Sequence, residues 1–394
     1  MKNTKLIALF RSFSKTEMSR LKEYVSSSYY NKNKLVTQLY NILNGYYPAF
    51  DSPALEDEKI FRKMFPGENY DYFKFKNITS DLFGLALEFL KLSAAETKDI
   101  DNEISLLNIL HDRKLDNIYS QREKKVKQKL QNAEVKDEDN YLLQYQLERV
   151  NIAHFKFEGA AYTFDSIQNE FESFLRYSLT GMLRLYSKML HNKNHGNIYF
   201  DMKMFENVWE YVKDREFEDN PSVTVYKHII ALELSKSIED YKQLLEIKER
   251  YRNRIPFEEH YYILLVQNSF AAYMLKLGDE AFYRDRFSAF KEMFEYGFMD
   301  AAYIIYPNFI SAYTSACMAE EFDWADQLIQ KAQDGISPAD EKLNSVYYCR
   351  GFISYRKKDF GKALEYFTKT KFRLYLMKVM VKSYTARIYY EQNL

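Results

Sequence analysis

Glycine and proline are scarce, eleven and seven of 394 residues. A chain so poor in both is not collagen-like, and it lacks the turn residues that many short strands need. Helices, which tolerate neither residue in their interiors, suit it. No two glycines stand closer than ten residues, which excludes G-x-G-x-x-G, Walker A and G-x-S-x-G loops and with them the usual phosphate cradle and nucleophile elbow. Cysteine is rarer still. Cys317 and Cys349 lie in helical patterns, where two reduced structural thiols fit better than a disulfide framework, and no C-x-x-C pair exists. Excess charge is missing too: Lys plus Arg and Asp plus Glu number 56 each, so no global field gathers nucleic acid or anionic lipid. Long apolar runs are absent. Among the longest, Tyr261 to Val266 falls far short of the ~18 residues of a membrane span, and Leu6 to Phe10 meets Arg11 before reaching the ~7 apolar residues of an export signal. A cytoplasmic chain without a membrane partner is expected.

Histidine offers little. Of six, His191 and His195 in His191-Asn-Lys-Asn-His195 have the spacing that puts two imidazoles on one helical face. The motif lacks the glutamate of a zincin helix and runs into Gly196, so it reads as a helix C-terminus whose side chains satisfy terminal carbonyls. His154, beside Ala153 and Phe155, reads as a core histidine. No metal, cofactor or catalytic residue is assigned, and the chain is read as non-enzymatic.

What is present is helical. The proline positions, crowded at 48, 53 and 66, absent until 221 and then at 221, 256, 307 and 338, suggest three regions: small helices over 1–100, long helices over 101–195, and helical repeats over 196–394. In the first, Ser14 and Glu17 are spaced as a capping box before an apolar stripe of Met18, Leu21 and Val25. A second stripe runs through Leu35, Leu39, Ile42 and Leu43, and helices follow near 56–65 and 70–93. Helices near 101–132, 138–160 and 163–192 fill the second region. The third of these carries an apolar face from Phe171 and Phe174 through Leu175, Leu179 and Leu183 to Leu190. Residues 122–129 are a basic run read as a solvated face.

In the last region, helix pairs are expected near 223–251 and 260–294, and two further segments can be superimposed. Tyr347, Gly351, Phe360, Ala363 and Phe367 in one, with Phe309, Phe322, Ala325, Ile329 and Ala332 in the other, resemble the tetratricopeptide repeat, a helix-turn-helix unit of about 34 residues. A small residue where two helices cross lets their backbones approach, and aromatic side chains fill the flanks. The resemblance implies an all-α fold, a TPR-like solenoid of helical hairpins preceded by an N-terminal helical region. It also implies a concave surface for a protein or peptide partner, lined by Tyr348, Phe352, Tyr355 and Arg356 in the last unit and by Ile310, Thr314 and Cys317 in the preceding one. Chaperone-binding members hold a terminal carboxylate with Lys and Asn at two of these places. Here Tyr348 and Phe352, or Ile310 and Thr314, stand instead, so an apolar or aromatic segment is the expected ligand. Truncating Tyr348 and Phe352 is expected to cost binding and little stability.

The alternative is a DNA-binding transcriptional regulator with a helical-repeat sensor, since residues 1–50 carry eight bases against two acids. The connection over 26–33 is longer than the 3 to 4 residue turn of a helix-turn-helix, which makes nucleic acid the less favoured partner.

Overall fold

Several helix starts follow the capping chemistry written in the sequence. The Ser14 hydroxyl accepts from the Glu17 amide while the Glu17 carboxylate accepts from the Ser14 amide, the reciprocal pair of a capping box. Asn33, Asp71, Asn220, Ser237 and Asp359 cap five other helices with their side chains. The computed structural model describes residues 1, 4–155, 160–297 and 304–392, with side chains omitted at 155–165 and 332. Among the described residues are nineteen α-helices. A single pair of two-residue parallel strands, Ile304–Ile305 (β1) and Ile336–Ser337 (β2), is the sheet component there. The chain forms two compact units, Met1–Val126 and Lys127–Leu394.

The first unit contains α1 (Lys5–Ser12), α2 (Lys15–Ser26), α3 (Lys34–Asn44), α4 (Asp57–Met64), α5 (Tyr72–Glu96), α6 (Asp99–Asp112) and most of α7 (Asp116–Gln131). Its core gathers Phe10, Tyr40, Phe50 and Phe61 with Leu21, Leu39 and Leu82. On α3 the buried positions are Val36, Leu39, Tyr40 and Leu43, so the expected stripe is rotated by one residue, leaving Leu35 and Ile42 half-buried. The helix expected over 101–132 is two helices. Lys114 adopts a left-handed conformation (φ 57°) and the Leu115 amide bonds back to the Leu110 carbonyl, the i→i−5 closure of a Schellman turn made without glycine.

The second unit continues with α8 (Glu138–Phe155), the 37-residue α9 (Ala160–Gly196), α10 (Phe205–Val212), α11 (Pro221–Ser235) and α12 (Ile238–Tyr251). The expected junction of two helices near residue 160 falls partly at 156–159, outside the described residues. The α9 stripe is buried at Leu179, Leu183 and Leu190, but Phe171 and Phe174 are exposed. Then come α13 (Phe257–Lys276), α14 (Phe282–Glu295), α15 (Tyr306–Met318), α16 (Phe322–Ala332), α17 (Lys342–Arg356), α18 (Phe360–Lys369) and α19 (Tyr375–Glu391). Helices α13/α14, α15/α16 and α17/α18 are sequential pairs that turn alike. Gly278, Glu320 and Lys358 are each left-handed (φ 94°, 65° and 59°), and the next amide, from Asp279, Glu321 or Asp359, reaches back five residues to Met274, Ala316 or Ser354 at 3.1, 2.9 and 2.9 Å. One apolar core runs from Phe287 and Phe290 through Phe309, Tyr313 and Leu328 to Phe352, Phe367 and Ile388.

Candidate functional site

Two places in the second unit bring chemistry-bearing side chains together, and a third is a buried ionic knot. The first surrounds the residues expected to line a concave surface. Gly351 on α17 faces Phe367 on α18, so closely that a Cβ on Gly351 would lie 2.7 Å from the ring. This close crossing lets α19 lie against both helices. The Tyr384 ring on α19 meets Phe352 at 5.2 Å and Tyr355 at 5.3 Å between centroids, edge to face, and reaches Tyr348 at 6.4 Å and Phe367 at 6.1 Å. These are favourable quadrupole geometries for aromatic pairs. The Tyr355 hydroxyl donates to Glu391 Oε1 at 2.8 Å, pinning the end of α19.

Consequently Tyr348 and Phe352 are core side chains, 0% and 1% exposed, and Ile310 and Cys317 on α15 are likewise buried. Their expected role as an open lining, and the expectation that truncating Tyr348 and Phe352 would cost little stability, are corrected by that burial. Thr314 is half-buried, its hydroxyl donating to the Ile310 carbonyl of its own helix at 2.9 Å. Tyr355 is half-buried at the rim, and Arg356 is exposed. Tyr384 and the whole of α19 went unrecognised in the sequence, although the apolar spacing of Met377, Tyr384 and Ile388 was there to find it. On the other face of α19, Tyr375, Leu376 and Tyr390 are exposed.

The second place is the end of α9. His191 and His195, one helical turn apart, bring their ring centroids within 4.5 Å with the planes tilted by 39° and turn toward Glu233 near the end of α11. His191 Nδ1 lies 2.6 Å and His195 Nε2 3.6 Å from Glu233 Oε1. Asn194 Nδ2 donates to Glu233 Oε2 at 2.7 Å and to the Glu233 carbonyl at 2.8 Å. These side chains therefore serve the neighbouring helix rather than their own terminal carbonyls, the departure from the capping expectation. Burial works against a charge on Glu233, yet the hydrogen bonds from His191, His195 and Asn194 outweigh it and hold the carboxyl far below the usual carboxylate range.

The third place ties α12, α13 and α14. Glu292 accepts from Lys248 Nζ at 2.6 Å and Arg252 at 2.8 Å and meets His260 Nε2 at 2.9 Å. Burial opposes the charge, but the hydrogen bonds from His260 and Lys248 hold the carboxyl down to about 2. Nearby in sequence, Glu259 has the opposite environment. It is buried, its Oε2 has no hydrogen-bond partner among the described residues, and burial pushes its carboxyl up to about 7. Cys317 and Cys349 are free and buried, and burial pushes the Cys317 thiol up to about 12. His154 is buried as well. No helix among the described residues is long and apolar enough to cross a membrane. No family model, curated protein or solved structure matches the chain.

Proposed function

We propose that α13 to α18 form a TPR-like scaffold that acts by binding rather than catalysis. Its ligand is a helical, aromatic-bearing segment of a protein partner, held on the α17–α18 surface that α19 occupies. The observation that carries this reading is Tyr384. Its ring sits among Tyr348, Phe352, Tyr355 and Phe367, so the surface already holds a ligand of that chemistry, in cis. Three successive hairpins with a left-handed residue at the same place in the turn support a repeat array. The Gly351–Phe367 approach supports it also, since the two helices of a hairpin can cross this closely only over a small residue. Tyr355 and Arg356 stand at the rim, where a partner can meet them first. Recognition follows the helix-in-groove mode, in which anchors at three- and four-residue spacing supply affinity.

The test titrates a labelled peptide of residues 374–392 into the full wild-type chain and into the full chain carrying Tyr384→Ala. Loosening α19 should let the peptide compete, so the variant is expected to bind it at least about tenfold more tightly, a difference of about 1.4 kcal/mol. The same peptide carrying Tyr384→Ala should bind neither. A peptide that binds neither chain would remove this surface as a receptor for helical segments.

A further inference from the structure

We propose that His191, His195 and Glu233 form a binding site for one divalent transition-metal ion of the Zn²⁺ class. Two imidazole nitrogens and one carboxylate are a recurrent ligand set for such ions, and the alkaline-earth cations prefer oxygen alone. The spacing is already close to what coordination needs. Ligands ~2.05 Å from a tetrahedral ion lie about 3.3 Å from one another. The candidate donor atoms lie within 4.8 Å of one another, with His191 Nδ1 and His195 Nε2 at 2.6 and 3.6 Å from Glu233 Oε1. Small rotations of two side chains, without backbone movement, would equalise them.

The surrounding groups match what ligands require. A coordinating imidazole usually engages a partner through its other nitrogen, which fixes ring orientation. With Nδ1 of His191 toward the ion, Nε2 faces the Ser269 hydroxyl of α13 at 3.5 Å. The carboxylate is oriented by Asn194 on Oε2, which leaves Oε1 for the ion. Glu233 is almost fully buried (4%), while His195 is 30% exposed, so the site has an anchored floor and an entry side. A cavity of about 10 Å³ adjoins it, with His195, Glu233 and Lys236 on its polar side and Leu232, Val266 and Phe270 among its other walls, about the room one water needs as a fourth ligand. Bound there, the ion would join the end of α9 to the end of α11, two elements that no covalent link holds together locally.

The test uses the full chain, stripped with a chelator and dialysed. Zn²⁺ is titrated in competition with a chromophoric chelator, and Co²⁺ binding is followed by the intense visible absorption of a four-coordinate ion. Wild type is expected to bind one ion, His195→Ala to weaken binding by at least about 100-fold, and Asn194→Ala, which orients the carboxylate, by about 10- to 100-fold. His111→Ala, in the first unit, should match wild type. Far-UV circular dichroism checks that the variants fold, and because Asn194→Ala removes no ligand, it tests the site even if His195→Ala unfolds. Absence of binding by wild type at ~100 µM Zn²⁺, or binding that both site variants leave intact, would overturn the proposal.

Discussion

Replacing Gly351 by alanine sets two known effects against each other. In a helix interior, Gly→Ala normally stabilises by about 1 kcal/mol, because glycine loses the most backbone freedom on folding. Here the new Cβ would stand 2.7 Å from Phe367 Cε1 and 2.8 Å from Cδ1, where carbon atoms prefer about 3.5 to 4.0 Å. Relief requires moving the ring by about 1 Å. Phe367 cannot yield freely, being 2% exposed and packed against Tyr348 and Tyr384 at 5.8 and 6.1 Å. Overpacking of this kind costs about 1 to 3 kcal/mol, so the net expectation is a loss of about 1 kcal/mol. Gly361 is the matched control in the same hairpin. It is exposed, nothing lies within 4 Å of its Cβ position, and Gly361→Ala should stabilise by a few tenths of a kcal/mol, roughly. The assay is denaturant unfolding followed by tryptophan fluorescence. Both tryptophans, Trp209 and Trp324, lie in the second unit, so the signal reports the unit that carries the substitution. Phe367→Leu supplies the double-mutant cycle. In that background Gly351→Ala should change sign and stabilise, giving a coupling of about 1 to 2 kcal/mol. If Gly351→Ala alone stabilises by about 1 kcal/mol, equally in both backgrounds, the close crossing does not exist.

Glu259→Gln should remove a pH dependence. A carboxyl raised from 4.5 to about 7 in the folded state binds its proton more tightly there than when unfolded, so its contribution is fully present below about 4.5 and is lost as pH rises to 7. The wild-type curve should therefore fall relative to the variant across that window by about 3 kcal/mol, and parallel curves would refute the buried, raised carboxyl. Glu292 titrates the other way, lowered from 4.5 to about 2: its stabilisation is present above 4.5 and lost as pH falls toward 2. Glu292→Gln should cost about 3 kcal/mol at neutral pH by removing the buried anion that Lys248, Arg252 and His260 share and should flatten the acid limb, whereas an unchanged midpoint in urea would show that the knot contributes nothing. Cys317 and Cys349 should resist iodoacetamide at pH 8 in the native chain and react once it is unfolded, as read by mass spectrometry; native labelling would contradict their burial.

The legible and the hidden parts divide by distance along the chain. Ser14 and Glu17 are three residues apart, and their cap formed as spaced. Gly278 marks a turn by residue type, but Lys114, Glu320 and Lys358 take the same left-handed conformation with side chains that give no local sign of it. That is why one expected helix over 101–132 became two. Tyr348 and Phe352 sit on α17 as their spacing required, yet whether they face a partner or a neighbour depends on α19, which the repeat pattern did not reach. His191 and His195 show their shared face in the sequence, while Glu233 follows His191 by 42 residues, and no local pattern links them.

Composition, caps and apolar stripes are decided by interactions within a turn or two, so the sequence alone determined that this chain is helical, along with many of its helix starts and the small residue at the α17–α18 crossing. Tertiary structure decided which stripe meets which, and therefore that a helix covers the aromatic surface and that a carboxylate stands before two imidazoles. Those outcomes depend on the rotation and stacking of whole helices, which the order of residues within one helix does not encode.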